Sequence, residues 1–165
     1  MLVALSIDSW RIQDPPDLDA AQHFAESAVE SARKLGKAID LSHALGALAT
    51  VFDGRSQLRE SLKVSIQRLE ICANPAFDNE NERLEALRSA GSAYLFAGEY
   101  DQAMTALKSA YDLALKVKSV NKQADILGLQ AQCYFRLDRW DEVLSVETMW
   151  RDLERRYSRE RVGET

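Results

Sequence analysis

The chain has 165 residues, 46% of them hydrophobic and 28% charged, a composition that indicates one folded globular domain and excludes a disordered tail. Its formal net charge of −5 argues against a general nucleic-acid-binding protein, because phosphate binding depends on clustered Lys and Arg. Only seven Gly and three Pro interrupt the sequence, which favours long helices over a many-stranded β fold.

The first residues and the cysteines indicate the compartment. The apolar start Met1–Ile7 lacks a basic leader and meets Asp8 at once, so we predict neither a signal peptide nor a transmembrane span. Cys72 and Cys133 show no CxxC or His-rich spacing, and we interpret both as reduced, packed thiols. These features predict a cytoplasmic protein with no metal, no cofactor and no membrane association.

The spacing of apolar residues predicts an all-α chain of eight helices. They are expected near residues 2–13, 17–35, 38–53, 55–72, 79–97, 100–117, 120–137 and 140–158. Pro15 and Pro16 end the first helix, and Asp17 is the expected N-cap of the second. The acidic run Asp78–Glu82 is expected at the N-terminus of the fifth helix, where the helix dipole favours negative charge. It lacks the Gly and Glu that a calcium loop requires.

A repeated pattern is clearest across the fifth and sixth predicted helices. It reads Leu87-x-x-Ala90-Gly91-x-x-Tyr94-x-x-x-Gly98-x-Tyr100-x-x-Ala103-x-x-x-Leu107-x-x-Ala110. We expect the two helices to approach most closely at Gly91 and Ala103, and Gly98 to end the first of them with a positive φ. Forty residues later the pattern recurs as Leu127-x-x-x-Ala131-x-x-Tyr134-x-x-x-Asp138-x-Trp140-x-x-Val143, with Asp138 in the place of Gly98.

Two weaker copies precede the clear one. The first is a second-helix pattern, Leu18-x-x-Ala21-x-x-x-Ala25-x-x-Ala28. The second is Gly46-x-x-Ala49-x-x-x-Asp53-Gly54, continuing to Leu58 and Leu62. In this copy we find no aromatic residue at the expected place, and Gly54 stands one position off the turn.

These motifs resemble the tetratricopeptide repeat, in the longer form of roughly forty residues found in bacterial regulatory and scaffold proteins. The resemblance covers about residues 17 to 157 and implies one right-handed solenoid of stacked antiparallel helix pairs. It divides the single domain, residues 1–165, into units near 1–36, 37–73, 79–118 and 120–158. It also implies a non-catalytic scaffold that binds a protein or peptide, as the docking or sensory segment of a larger regulator.

In proteins of this family the first helices of successive pairs line a concave groove that holds the partner. The positions that the resemblance assigns to this groove are His43, Ala47, Thr50, Arg88, Ser92, Leu95, Phe96, Gln132, Phe135 and Arg136. Arg88, Ser92 and Leu95 are spaced by four and three and therefore share one helical face. The chaperone-binding branch of the family uses a Lys/Asn clamp, and Arg88 with Ser92 departs from it.

The last predicted helix carries more apolar side chains than one buried stripe needs. Residues Trp140, Leu144, Met149 and Trp150 widen the stripe, so we expect a further repeat or a second copy of the chain to cover it. Two other functions stay open. One is a receptor for a small molecule or short signal peptide in the same groove. The other is an enzyme of unrecognised type, although no nucleophile elbow or phosphate loop is present.

Overall fold

A computed structural model describes residues 17–162, and the side chains of residues 17–158. This part of the chain is entirely α-helical, as predicted, with seven helices and no strand. The helices are α1 (Leu18–Leu35), α2 (Ala38–Gly54), α3 (Leu58–Ala73), α4 (Glu80–Ala97), α5 (Tyr100–Lys116), α6 (Val120–Arg136) and α7 (Trp140–Val162). The helix predicted at 2–13 lies outside the described residues.

Two helices begin at side-chain caps. Oδ1 of Asp17 accepts hydrogen bonds from the backbone N–H of Asp19 (3.1 Å) and Ala20 (2.9 Å), which confirms Asp17 as the N-cap of α1. At the start of α4, Oδ1 of Asn79 accepts from the backbone N–H of Glu82 at 2.9 Å. The residues of the acidic run predicted at this helix start therefore have different roles. Asn79 supplies the N-cap, whereas Glu82 is buried and only 6% exposed.

Three short turns with a left-handed residue join α2 to α3, α4 to α5 and α6 to α7. The residues with positive φ are Ser56 (57°), Gly98 (82°) and Asp138 (54°). Gly98 and Asp138 were predicted at these turns. In the first turn, however, Gly54 is still helical and Ser56 takes the left-handed position. As a result α3 begins at Leu58, three residues later than predicted.

The turn at Ser56 corrects the register of the weaker second copy. With Ser56 placed opposite Gly98, the residue corresponding to Gly91 is Ala49, not Gly46, and the residue corresponding to Tyr94 is Phe52. Both Ala49 and Phe52 are buried, so the aromatic residue that the sequence interpretation missed is present. On α3 the same register places Ser61, Ser65, Arg68 and Cys72 at the positions of Ala103, Leu107, Ala110 and Ala114, and all eight residues are buried.

The predicted close approach within the clear copy is present. A Cβ atom added to Gly91 would lie 2.7 Å from Cγ of Leu107 and 3.5 Å from the carbonyl oxygen of Ala103. Only a glycine leaves room for this crossing of α4 and α5. Ala103, Leu107 and Ala110 of α5 are 0% exposed and are buried in the interface between α4 and α5.

The helices form an inner and an outer layer. Each described helix packs on the next along the chain, and α2 also contacts α4, as α4 contacts α6. No close backbone approach joins α1 to α3, α3 to α5 or α5 to α7. Within residues 17–162, the inner layer (α2, α4, α6) is therefore tightly spaced and the outer layer (α1, α3, α5, α7) is splayed, so the inner layer forms the concave side.

Candidate functional site

The concave surface is formed by the outward faces of α2, α4 and α6. Of the residues predicted to line it, most are exposed or half-buried: His43, Ala47, Thr50, Arg88, Ser92, Phe96, Gln132, Phe135 and Arg136. At about 100° per residue, those on α4 lie opposite the buried stripe that contains Ala86 and Ala90. The helical phase of the inner helices therefore leaves a continuous surface for contact with another molecule.

Leu95 does not belong to this surface. Its side chain is 5% exposed and packs in the core with Met104, Leu107 and Ile126. The reason is its position at the edge of the α4 face, where the next inner helix, α6, covers it. Leu95 is therefore a packing residue at the α4–α6 contact, and it is removed from the set of contact residues.

A pocket of about 290 Å³ lies where the C-terminal ends of α4 and α6 meet on the concave side. It is lined by Leu95, Phe96, Ala97, Gly98, Tyr100, Gln132 and Arg136. Phe96 is 55% exposed, and Gln132 and Arg136 are also accessible. Among the residues with described side chains, Arg136 takes part in no ion pair. The structure thus places an aromatic ring and a guanidinium group in the lining of one pocket, at one end of the groove.

The middle of the groove is occupied by charges that already satisfy each other. Oε2 of Glu85 accepts from Nε (3.2 Å) and Nη2 (3.1 Å) of Arg88, and Oε1 of Glu85 pairs with Nζ of Lys122 on α6. Burial raises the pKa of Glu85, but hydrogen bonding to Lys122 and the charge of Arg88 outweigh it and hold that pKa below its usual value. Arg88 is therefore less available to an incoming carboxylate than Arg136.

Below the groove, a buried ion pair joins two successive helix pairs. Nη2 and Nε of Arg68 on α3 donate to Oε1 of Glu82 on α4 at 2.6 and 3.1 Å. The Ser42 hydroxyl on α2 donates to the same oxygen at 2.5 Å and lies 3.2 Å from Sγ of Cys72. Arg68 and Glu82 are 8% and 6% exposed, so their hydrogen bonds offset a large desolvation cost.

The buried pair reaches the groove through His43. Nε2 of His43 lies 3.0 Å from Oε2 of Glu82, and the His43 side chain is 61% exposed. A pocket of about 330 Å³ opens beside it, lined by His43, Asn79, Asn81, Glu82, Leu84, Glu85, Ser119 and Lys122. The groove therefore carries mainly polar and charged residues at the N-terminal ends of α4 and α6, and Phe96 with Arg136 at their C-terminal ends.

Gly46 has a role that the sequence interpretation missed. A Cβ atom at this position would lie 2.8 Å from Nη1 and 2.9 Å from Cζ of Arg68. The absence of a side chain at Gly46 therefore leaves the space that the Arg68 guanidinium occupies when it binds Glu82. The available signals were an Arg and a Glu fourteen residues apart, together with a glycine inside a helix, and none of them identifies the pairing without the corrected register of α3.

Known proteins resemble this chain in their structures. No family sequence profile matches the chain, and curated proteins give no match either. Solved structures do match. BtubC (BKLC) from P. vanneervenii superimposes with a TM-score of 0.67 at 16% identity, covering 86% of this chain. A protein of Podosopora anserina, described as a putative kinesin light chain with nearly identical TPR-like repeats, gives 0.69 at 17% identity over 86% of this chain.

The fold is tetratricopeptide-like. A form of the Podosopora anserina protein with one substitution superimposes with a TM-score of 0.71 at 16% identity. The chain spans 59% of the length of BtubC and 69% of the length of the Podosopora anserina protein. At this level of identity the likeness establishes the architecture of stacked helix pairs, and the function has to be argued from the residues of this chain.

The tetratricopeptide-like array ends, within the described residues, at the exposed side of α7. Of the four residues predicted there, Trp140 is 54% exposed, Leu144 62%, Met149 41% and Trp150 39%. Trp140 packs edge-to-face on Phe135 with ring centroids 5.2 Å apart, and Leu144 follows one turn later. Helical geometry places Met149 about 140° away from Leu144, so the structure brings Phe135, Trp140 and Leu144 together and leaves Met149 apart.

Metal-binding and membrane-spanning features are absent from the described residues. No group of three or more His, Cys, Asp or Glu side chains in that part of the chain is placed to hold a metal ion. None of its helices has the length and apolar character needed to cross a membrane.

Proposed function

We propose that this chain is a non-catalytic interaction module that binds a peptide, or a segment of a partner protein, in the concave groove of its array. We further propose that it serves as the docking or sensory segment of a larger regulator. The observation that carries the first proposal is the pocket that Phe96 and Arg136, both accessible, line together. Tetratricopeptide-like folds generally act by holding other proteins.

The chemistry of the pocket indicates how a peptide would be held. The Arg136 guanidinium can bind a carboxylate through two parallel hydrogen bonds. Phe96 offers an apolar face for a side chain of the partner, since aromatic anchors dominate the energetics of most interfaces. The Gln132 amide can donate to and accept from a peptide backbone. A peptide with an acidic side chain or a C-terminal carboxylate next to an apolar residue fits this arrangement.

The lining of the groove favours a peptide over a small molecule. A small-molecule receptor needs a mostly apolar pocket with few polar groups. The pocket beside Phe96 instead exposes the polar side chains of Gln132 and Arg136, and the pocket beside His43 includes the charged side chains of Glu85 and Lys122. An extended peptide that crosses α4 and α6 can satisfy several such groups at once.

The state of the cysteines supports a non-catalytic role in the cytoplasm. Cys72 lies beside Ser42 and near Glu82, but its side chain is 0% exposed. Burial raises its pKa, and the hydrogen bond between Cys72 and Ser42 opposes this only in part. A protonated, inaccessible thiol is no nucleophile. Cys72 and Cys133 are both free and buried, as expected for a protein kept in a reducing compartment.

The proposal is tested by capture with matched variants. The immobilised chain and its Phe96→Ala and Arg136→Ala variants are exposed to lysate, and the bound proteins are compared by quantitative mass spectrometry. The control is Lys108→Ala, which removes an exposed cation from the outer helix α5. Synthetic peptides that tile each captured protein are then measured by calorimetry against the same four chains and the Arg88→Ala variant.

We expect a captured peptide to lose about tenfold or more in affinity for Phe96→Ala and Arg136→Ala, since hot-spot residues contribute well above ~1 kcal/mol. Lys108→Ala should bind like the parent. Arg88→Ala should have a smaller effect than Arg136→Ala, because Arg88 already pairs with Glu85. Capture that is identical for all variants would show that the concave pocket is not the binding site.

A further inference from the structure

The three exposed residues Phe135, Trp140 and Leu144, here named the end patch, have direct counterparts in the preceding helix pair. Forty residues earlier stand Leu95, Tyr100 and Met104. In that pair Leu95 is 5% and Met104 9% exposed, and Tyr100 is half-buried. All three belong to one core cluster together with Ile126 and Cys133 of α6. The positions of the end patch are therefore the ones that a following inner helix covers.

The side chains of the end patch are large and apolar, as buried positions require, yet they are exposed. Phe135 is 53%, Trp140 54% and Leu144 62% exposed. The Phe135 and Trp140 rings are fixed against each other at an interplanar angle of 85°. Such a rigid, contiguous apolar surface at the edge of an array is typical of a surface that another element covers.

Within the described residues, no turn and inner helix follow α7 in the way that they follow α5. After α5 the chain turns at Lys118, which has a φ of 54°, and α6 begins at Val120. The residue corresponding to Lys118 is Ser158, but α7 continues as a helix to Val162. α7 therefore continues past the position at which the chain turns after α5. In a second copy, the described inner helices already bury their apolar faces within their own array.

We propose that the end patch binds an amphipathic helix of a different protein, packed in the place that α6 takes in the preceding pair. This surface lies beyond the concave pocket of the proposed function and does not depend on it. The partner helix is apolar in its C-terminal half, since that half lies over Phe135, Trp140 and Leu144.

The rest of α7 specifies the other half of the partner. At the positions of Leu107, Tyr111 and Ala114, α7 carries Glu147, Arg151 and Glu154. Glu147 and Arg151 pair with each other at 3.3 Å, whereas Glu154 is exposed and takes part in no ion pair among the described side chains.

One contact of α6 shows where a basic residue of the partner would stand. Nε2 of Gln123 donates to the carbonyl oxygen of Ala114 at 3.2 Å, and Ala114 corresponds to Glu154. The partner residue that takes the place of Gln123 therefore lies beside the Glu154 carboxylate. Charge complementarity assigns Lys or Arg to this position, in the N-terminal half of the partner helix.

The probe is a fluorescent peptide with the sequence of residues 120–136, carrying Cys133→Ala, and its binding is followed by anisotropy. It should bind the parent chain. Leu144→Glu should weaken binding by about tenfold or more, because it places a charge in an apolar contact. The control Leu115→Glu makes the same change at another exposed leucine, on α5, and should bind within about twofold of the parent. The Phe96→Ala variant should also bind normally, which separates this proposal from the groove.

A second peptide, in which Gln123→Lys is added, tests the charge. It should bind the parent chain about two- to fivefold more tightly than the first peptide, and Glu154→Gln should abolish that gain. The proposal is overturned if neither peptide binds, or if Leu144→Glu binds them as well as the parent does. It is also overturned if light scattering shows a dimer that Leu144→Glu dissociates, because a second copy would then cover the end patch.

Discussion

The helix pairs α2–α3 and α4–α5 have the same geometry and opposite interior chemistry. In α5, Ala103, Leu107 and Ala110 fill the crossing with apolar atoms, and all three are 0% exposed. The corresponding residues of α3 are Ser61, Ser65 and Arg68, which are 1%, 1% and 8% exposed. Burial at these positions therefore follows from the stacking of the helices and not from the residue type. A charge is tolerated in one pair because the next pair supplies Glu82 to receive it.

The largest expected effect comes from breaking that charge pair. Glu82→Ala leaves the Arg68 guanidinium buried without its partner, and should lower the free energy of unfolding by about 3–5 kcal/mol. The matched control is Glu80→Ala, two residues before Glu82, which removes an exposed ion pair with Lys116. It should lower the free energy of unfolding by less than about 1 kcal/mol. Urea denaturation measures both. Equal losses would show that Arg68 is solvated.

The apolar pair is tested by overpacking. Ala103→Leu should cost about 1–3 kcal/mol, because the added atoms have no space at the α4–α5 crossing beside Gly91. Ala47→Leu makes the same change at an exposed position of α2 and should cost about 0.5 kcal/mol or less. The measurement is the shift in thermal midpoint. An Ala103→Leu variant as stable as the parent would contradict the close helix contact.

The pH dependence of stability tests the apolar surroundings of Cys133. Cys133 lies in the apolar cluster, and burial raises its pKa from 9.0 to about 11, so the folded chain retains this proton more tightly than the unfolded chain. The stability that it contributes is complete below about pH 9 and is lost as the pH rises towards 11, by about 2–3 kcal/mol in all. Comparing parent and Cys133→Ala unfolding between about pH 8 and about pH 11 isolates this loss. Parallel pH profiles would refute it.

The smallest expected effect is an increase in the free energy of unfolding. Oγ of Ser61 is buried and has no hydrogen-bond partner in the described part of the chain. Ser61→Ala converts the position to its counterpart Ala103 and should stabilise the chain by about 1 kcal/mol, since an unsatisfied hydroxyl is removed. The control Ser31→Ala, at an exposed position of α1, measures helix propensity alone and should gain about 0.5 kcal/mol or less. Calorimetric unfolding that shows a loss for Ser61→Ala would mean that the hydroxyl is satisfied.

The same comparison explains what the sequence could predict. In α4–α5 and α6–α7 the repeat positions carry the small and aromatic residues expected of them, and the predicted turns at Gly98 and Asp138 are confirmed. In α3 the corresponding positions carry Ser and Arg, so the pattern had no support there, although α2 carries Ala49 and Phe52 at the expected places. The sequence interpretation therefore aligned Gly46 with Gly91, three residues before the correct counterpart, Ala49. A buried polar network depends on partners distant in the sequence, and local periodicity carries no information about them.

Some features of the candidate site could be predicted from the sequence and others could not. The resemblance to the tetratricopeptide repeat assigned Phe96, Gln132 and Arg136 to the groove, and the structure gathers them in one pocket. Neither the resemblance nor helical spacing showed that α6 covers Leu95, nor that Glu85 already engages Arg88. The burial of Leu95 depends on how closely the neighbouring helix approaches, and the pairing of Glu85 depends on side-chain conformation. The sequence of a single helix defines neither.

The ion pair between Arg68 and Glu82 also bears on how the array can be rearranged. In an ideal repeat protein every unit meets its neighbours through the same surface, and units can be duplicated, deleted or reordered. Here α3 carries the Arg68 cation, Glu82 of the following pair neutralises it, and Gly46 leaves space for the guanidinium. Removing the pair α4–α5 alone would leave Arg68 without this partner. We therefore expect α2–α3 and α4–α5 to tolerate duplication or transfer only together and in this order.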